Sequence, residues 1–189
     1  MPGDVGEPEV AAGIAVGELF VIHAEDVPSR ETLRMSVTIG SNAPAFKLPS
    51  RPGHEVDLST VFGKQKVVLL FFPLAFSSVC STEMCTFRDD WQKWSSLGCA
   101  VFGICVDSPF VTDKFKQELS IPFDILSDFN KEVSRTYGAL FENLMGLKGV
   151  GKRAAFVVDA HGKVVYAKVN EEAGQQVDFA AIQKAVESC

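Results

Sequence analysis

The sequence predicts an α/β domain with a mixed central sheet flanked by helices, and three observations carry that prediction. Val67–Phe72 and Ala100–Val106 are continuous apolar runs of strand length, the pattern of strands buried on both faces. Between them, Phe87, Trp91 and Trp94 recur at three-to-four spacing opposite Arg88, Asp89, Asp90 and Lys93, which predicts an amphipathic helix from Ser78 to about Leu97, stopped by Gly98. Further on, Ala155–Asp159 and Lys163–Lys168 flank Ala160-His161-Gly162, a hairpin signal.

Taken in order, residues 1–34 read as an acidic, Gly-rich extension, mobile or partly docked, with Leu19–His23 as a candidate strand. The domain is predicted over residues 35–189, beginning at Met35-Ser-Val-Thr-Ile-Gly. Ala45–Leu48 and Glu55–Leu58 flank Arg51-Pro52-Gly53 and predict an N-terminal hairpin. After the strand ending at Val106, Asp107 or Ser108 caps a helix with Pro109 in its first turn. Phe123–Leu126 reads as a short strand, Lys131–Tyr137 as a short helix and Val177–Glu187 as a closing amphipathic helix. A hairpin, a βαβ unit with parallel central strands, an antiparallel hairpin and a last helix is the element order of a thioredoxin-like fold. In such sheets chemistry belongs at the carboxyl end of a central strand, where a helix begins.

Composition narrows the function class. A net charge of -6 argues against nucleic acid, which needs a basic stripe to displace counterions. No apolar run approaches the roughly 18 residues of a membrane span. The first residues carry Asp4, Glu7, Glu9 and Glu18 and lack the basic start of a signal peptide, so a cytoplasmic protein is expected. Five cysteines, Cys80, Cys85, Cys99, Cys105 and Cys189, are an odd number and fit a reducing compartment with one or two working thiols. His23, His54 and His161 are scattered and give no metal-ligand spacing, and the absence of Cys-x-x-Cys argues against a thioredoxin-type disulfide exchanger.

The strand-to-helix junction reads Phe71-Phe72-Pro73-Leu74-Ala75-Phe76-Ser77-Ser78-Val79-Cys80-Ser81-Thr82-Glu83-Met84-Cys85. A cysteine in the first helical turn faces unpaired backbone N–H groups and the positive end of the macrodipole, which favour thiolate over thiol. Pro73 ends the strand because it cannot donate to the ladder, and Ser77 offers a hydroxyl within reach of the sulfur.

Pro73-x-x-x-Ser77-x-x-Cys80 resembles the active-site signature of the peroxiredoxins, and the surrounding Phe-Phe-Pro-Leu-Ala-Phe and Phe87-Arg88-Asp89 most resemble their E-type alkyl hydroperoxide reductase branch. Two departures are Ser77, where threonine is commoner, and Cys85, where some relatives have no second thiol. The resemblance implies a cofactor-free, metal-free thiol peroxidase in which Cys80 attacks a hydroperoxide and becomes a sulfenic acid. It implies an arginine beside the sulfur, at Arg153, with Lys152 as the near alternative. Glu83 matches a position held in a hydrogen-bond network with such arginines, and since a lone carboxylate would disfavour the thiolate, Arg88 is a candidate second cation to neutralise it. The implied partners are the peroxide, a thioredoxin or glutaredoxin-like reductant, and a second copy of the chain in a homodimer or larger homo-oligomer, with Phe76 and Phe110 as a candidate face.

The second thiol stays open among Cys85, Cys189 and an external thiol. On a regular helix, positions five apart lie roughly 8 to 9 Å apart and about 140° around the axis. A disulfide needs Cα atoms within about 4.4 to 6.8 Å, so a Cys80–Cys85 bond requires the helix to unwind. Cys99 and Cys105 read as small core residues. The rival from another class is a redox sensor that accumulates oxidised Cys80 instead of turning over.

Overall fold

The computed structural model describes residues 37–189; the extension at 1–34, its boundary with the domain and the candidate strand Leu19–His23 lie outside the described residues. Five strands form the main sheet: β3 (Lys66–Phe71), β4 (Cys99–Cys105), β5 (Asp124–Ser127), β8 (Ala154–Val158) and β9 (Val164–Val169). Their spatial order is β5-β4-β3-β8-β9. β3 pairs parallel with β4 and antiparallel with β8, so the sheet is mixed, as expected. Among the described residues no helix is long and apolar enough to cross a membrane.

The apolar run in β3 is explained by its central place. Val68, Leu70 and Phe72 enter the core on one face with Met84, Phe87 and Trp94. Val67, Leu69 and Phe71 enter the core on the other with Tyr137 and Phe156. Successive side chains alternate faces, and each is worth about 1.5–3 kcal/mol of burial, so β3 fixes both layers at once.

Three elements differ from the sequence reading. The first hairpin is β1 (Lys47–Arg51) with β2 (His54–Asp57), turning through Pro52 and Gly53, whose φ of 75° suits glycine. The turn takes only two residues, so the strands reach further toward it than expected. Leu58–Thr60 instead forms a 3-10 turn, capped by Asp57, which accepts the Ser59 N–H at 2.9 Å.

The long helix is in fact two: α1 (Ser78–Asp89) and α2 (Trp91–Ser96), with Asp90 at φ -91°, ψ 13° ending one and starting the other. Aspartate favours caps over helix interiors. The break lets Trp94 stack on Phe87 at 5.0 Å while its carbonyl accepts the Cys99 thiol at 3.2 Å, at the start of β4.

The third difference is α5 (Phe179–Glu187), which begins two residues later than expected because Asp178 caps it, accepting the Ala181 N–H at 2.9 Å. A small ribbon of β6 (Leu140–Phe141) and β7 (Val150–Gly151) is too short to show periodicity in the sequence. α3 (Pro109–Glu118) and α4 (Glu132–Thr136) fall close to their expected places.

Candidate active site

The site is built where β3 ends. Phe72 makes the last ladder bond, to the Ile104 carbonyl at 3.0 Å, and Pro73 is the next residue, buried and without an N–H to offer. The chain then turns through Phe76, held at φ 63°, a left-handed conformation uncommon for a bulky side chain. The Phe76 ring packs edge-on against Phe115 of α3 at 5.1 Å, which holds the turn from outside. From inside, Asp107 accepts the Ala75 N–H at 2.8 Å.

Ser77 then takes the N-cap position of α1 without a side-chain cap bond, and Cys80 falls in the first turn, among the N–H groups that have no intrahelical partner. The buried stripe of α1 is Cys80, Glu83, Met84 and Phe87, at intervals of three, one and three. That spacing turns Cys80 and Glu83 onto the face that meets the sheet. Both residues are 0% exposed.

The partner for both comes from the neighbouring strand. Ala154 of β8 pairs with Phe71 of β3, so Arg153, one residue before β8, sits beside the β3 exit. It is 1% exposed. Its Nη2 donates to Cys80 Sγ at 3.3 Å, and Nη1 lies 3.1 Å from Glu83 Oε1, an ion pair off the line of a hydrogen bond. Nε and Nη2 also donate to the Ala173 carbonyl at 3.3 and 3.0 Å, while Glu83 Oε2 accepts the Val177 N–H at 3.0 Å. Burial raises the Glu83 pKa above the ordinary 4.5; Arg153 and the Val177 N–H pull it down without cancelling that effect. Such an arrangement can hold a thiolate against a fixed cation in a site closed to bulk water.

The structure thus brings together Cys80, Glu83 and Arg153, with Pro73 buried at the β3 exit, and it corrects the expectations for Arg88 and Ser77 and sets aside the alternative at Lys152. Arg88 does not reach Glu83: it pairs with Asp89 at 2.8 Å and donates to the Leu119 carbonyl at 2.8 Å. Five residues along a helix is about 140° of rotation, so the two side chains leave on different faces. Lys152 points away, paired with Glu171 at 2.7 Å and 5.4 Å from the Phe141 ring centre. The Ser77 hydroxyl, on an exposed residue, donates to the Leu74 carbonyl at 3.1 Å instead of lying against the sulfur.

Cys85 is half-buried, with Cys80 and Cys85 both free thiols on the same unbroken helix. Cys99 and Cys105 are core residues as expected; burial pushes the Cys99 thiol up to about 11 and holds the Cys105 thiol well above its ordinary value.

Two contributors escape a reading of the sequence. Asp107 looks like a helix cap, but Ser108 occupies that position and the Asp107 carboxylate supports the active-site turn. Gly151 carries no mark of its role: a Cβ there would stand 3.0 Å from the Phe72 carbonyl oxygen, so a larger residue would press β7 away from the β3 exit by a few tenths of an ångström. Neither leaves a linear signal. A cavity of about 730 Å³ lined by Phe46, Phe110 and Tyr137 does not include Cys80 and has no part in the site.

Comparison with known proteins agrees with this geometry. The model of the AhpC/TSA family matches residues 39–167. The chain is 38% identical over 132 residues to the peroxiredoxin bcp of Coxiella burnetii, covering 69% of this chain and 87% of that one. It is 35% identical over 159 residues to a chloroplastic 2-cysteine peroxiredoxin of Chattonella marina, covering 77% and 78%. The crystal structure of peroxidoxin BcpB from Mycobacterium tuberculosis superposes with a TM-score of 0.68 at 28% identity, over 79% of this chain and 94% of that one. The thioredoxin-like arrangement read from the element order is therefore the peroxiredoxin fold, and the chain belongs to the AhpC/TSA family of peroxiredoxins, the thiol peroxidases.

Proposed function

We propose that Cys80 is the peroxidatic thiol and that the chain reduces hydrogen peroxide and organic hydroperoxides through it. The observation that carries this reading is the 3.3 Å contact of Arg153 with a cysteine in the first turn of α1. The thiolate attacks one peroxide oxygen; an S–O bond forms, the O–O bond breaks, and the leaving oxygen takes a proton to depart as water or alcohol. Cys80 is left as sulfenic acid, oxidised by two electrons. Arg153 and the free N–H groups of the first turn hold the charge as it shifts between oxygens. Ser77 turns its hydroxyl from Leu74 to the bound peroxide.

Cys85 resolves the sulfenic acid: its sulfur attacks Cys80, water leaves, and an intrachain disulfide forms. An external dithiol of the thioredoxin or glutaredoxin kind returns two electrons. A continuous α1 supports the need for unwinding, since its cysteines stand too far apart to bond while it stays regular. A buried Cys80 supports it too, because no protein thiol reaches a sulfur with 0% exposure.

Cys189 is the poorer candidate within one chain. It follows α5, whose end is tied by Lys66 donating to the Val186 carbonyl at 2.7 Å. Lys66 begins β3, whereas Cys80 lies beyond its far end, about 20 Å away at roughly 3.3 Å per residue. The proposal includes a homodimer through the exposed Phe76 and Phe110, and a cytoplasmic setting in keeping with an odd set of five cysteines.

The test treats reduced wild type and Cys85→Ser with one equivalent of hydrogen peroxide, traps free thiols and maps the peptides. A Cys80–Cys85 disulfide in wild type, replaced by Cys80 sulfenic or sulfinic acid in the variant, is expected. Sulfenic acid at Cys80 in both proteins would remove Cys85 from the mechanism and leave resolution to an outside thiol.

A further inference from the structure

The segment between β9 and α5 lends no side chain to the proposed chemistry, yet its backbone holds both members of the buried ion pair. The Ala173 carbonyl accepts from Arg153 Nη2 at 3.0 Å, the same nitrogen that contacts the Cys80 sulfur at 3.3 Å. The Val177 N–H holds the Glu83 carboxylate at 3.0 Å. A backbone group is placed only as well as its segment is held.

What holds this one is Asn170, which is 4% exposed. Its Nδ2 donates to the Gln175 carbonyl at 2.8 Å and to the Gln176 carbonyl at 3.2 Å. Its own N–H donates to the Arg153 carbonyl at 2.8 Å. One residue is thus bonded to the Arg153 backbone on one side and, on the other, to the two residues that precede Val177. The NH2 group carries two donors and can face two carbonyls at once; a carboxylate of the same shape would be repelled by both, and alanine would leave both without this donor. The segment has one other internal bond, Gln175 N–H to the Glu172 carbonyl at 3.1 Å, and one flanking ion pair, Lys152 with Glu171. That pair involves a largely exposed Glu171 and contributes little.

We propose that Asn170 is a positioning residue of the peroxidase: by clamping the Ala173–Val177 turn it sets where the Arg153 guanidinium stands against Cys80 and where Glu83 stands against Arg153. The inference rests on the roles proposed for Cys80 and Arg153. Asn170 touches neither the sulfur nor the peroxide; its effect passes through Arg153.

Asn170→Ala, Asn170→Ser and Glu171→Gln are compared with wild type and with Cys80→Ser. The readouts are the second-order rate with hydrogen peroxide, the pH midpoint of Cys80 alkylation and the melting temperature. Misplacement of a catalytic group by a fraction of an ångström to one ångström costs about ten- to a hundredfold, and a loss of that size is expected for Asn170→Ala. Its alkylation midpoint should move to higher pH, because a displaced cation stabilises the thiolate less. Asn170→Ser keeps one donor and should fall between, and Glu171→Gln should stay within about twofold, as an exposed pair predicts. A lower melting temperature with wild-type rate and alkylation midpoint would make Asn170 purely structural and overturn the proposal. Should Asn170→Ala fail to fold, Asn170→Ser decides by the same criteria. A Cys80→Ser protein that keeps its peroxidase rate would overturn the underlying assignment, a result distinct from any behaviour of Asn170.

Discussion

Arg153 is one buried cation shared between two groups, the Cys80 sulfur and the Glu83 carboxyl. A guanidinium can do this because its nitrogens form a planar fork, with Nη1 turned to one partner and Nη2 to the other. Removing either partner of a buried pair is costly because the remaining charge has lost its water. Glu83 is where this becomes measurable.

Its pKa is raised above 4.5 chiefly by burial, so the folded protein holds the Glu83 proton more tightly than the unfolded chain does. The contribution to stability is complete below pH 4.5 and is lost as pH rises through the raised value. In Glu83→Gln the same Val177 N–H still finds an oxygen, but nothing titrates. Denaturant unfolding of the two proteins at a series of pH values rising from below 4.5 should show wild type losing stability relative to the variant as pH rises. Parallel pH profiles for the two proteins would contradict a raised Glu83 pKa.

At the scale of elements, α1 has two tasks that conflict. It must be regular for Cys80 to sit in its first turn with Glu83 one turn on, and irregular for the proposed attack of Cys85 on Cys80. Amide hydrogen exchange over Ser78–Asp89 should be slow in the reduced protein and faster by about tenfold or more after one equivalent of peroxide. In Cys85→Ser the same treatment should leave the helix protected. Equal exchange before and after oxidation of wild type would argue for resolution without unwinding. The approach of β7 to β3 gives a second prediction at this scale. Gly151→Ala places a methyl 3.0 Å from the Phe72 backbone oxygen, which cannot swing aside as a side chain would. The cost is about 1–3 kcal/mol in stability, together with a slower reaction with peroxide because the turn leading to Cys80 is displaced. Wild-type stability and rate in this variant would show that the close contact carries no strain.

Much of this is legible in the chain. The runs that form β3 and β4 can be read because central strands bury both faces, and Cys80 can be placed because Pro73 must end a ladder and a helix must follow. Arg153 and Glu83 are legible only through the resemblance to peroxiredoxins, since nothing in their local sequence says that they meet 70 residues apart (153 − 83). Arg88 misleads because proximity along the chain is not proximity on a helix face. Asp107, Gly151 and Asn170 leave no signal: the first two act through a backbone group of a distant segment and Asn170 through carbonyls of its own loop, and such contacts impose no pattern on neighbouring residues.

For the molecule as a whole, the mixed sheet explains why the site lies where it does. β3 carries the chain to the helix that bears Cys80, and the antiparallel strand beside it, β8, brings Arg153 to the same end. A parallel neighbour in place of β8 would present its last residues there, whereas the antiparallel one presents its first, which is where Arg153 stands. The two cores pack against β3 and β8 from either side, so the contact between sulfur and guanidinium is set by the fold itself.

In the proposed reaction Cys80, held by Arg153, is the sulfur that peroxide oxidises first. The most direct measurement is the second-order rate of reaction with hydrogen peroxide, followed in a single turnover for wild type, Cys80→Ser and Arg153→Lys. No measurable reaction is expected for Cys80→Ser. For Arg153→Lys the rate should fall by about 10²–10³, because a single ammonium cannot serve sulfur, carboxylate and carbonyl together. A Cys80→Ser protein that consumes peroxide at the wild-type rate would contradict the claim.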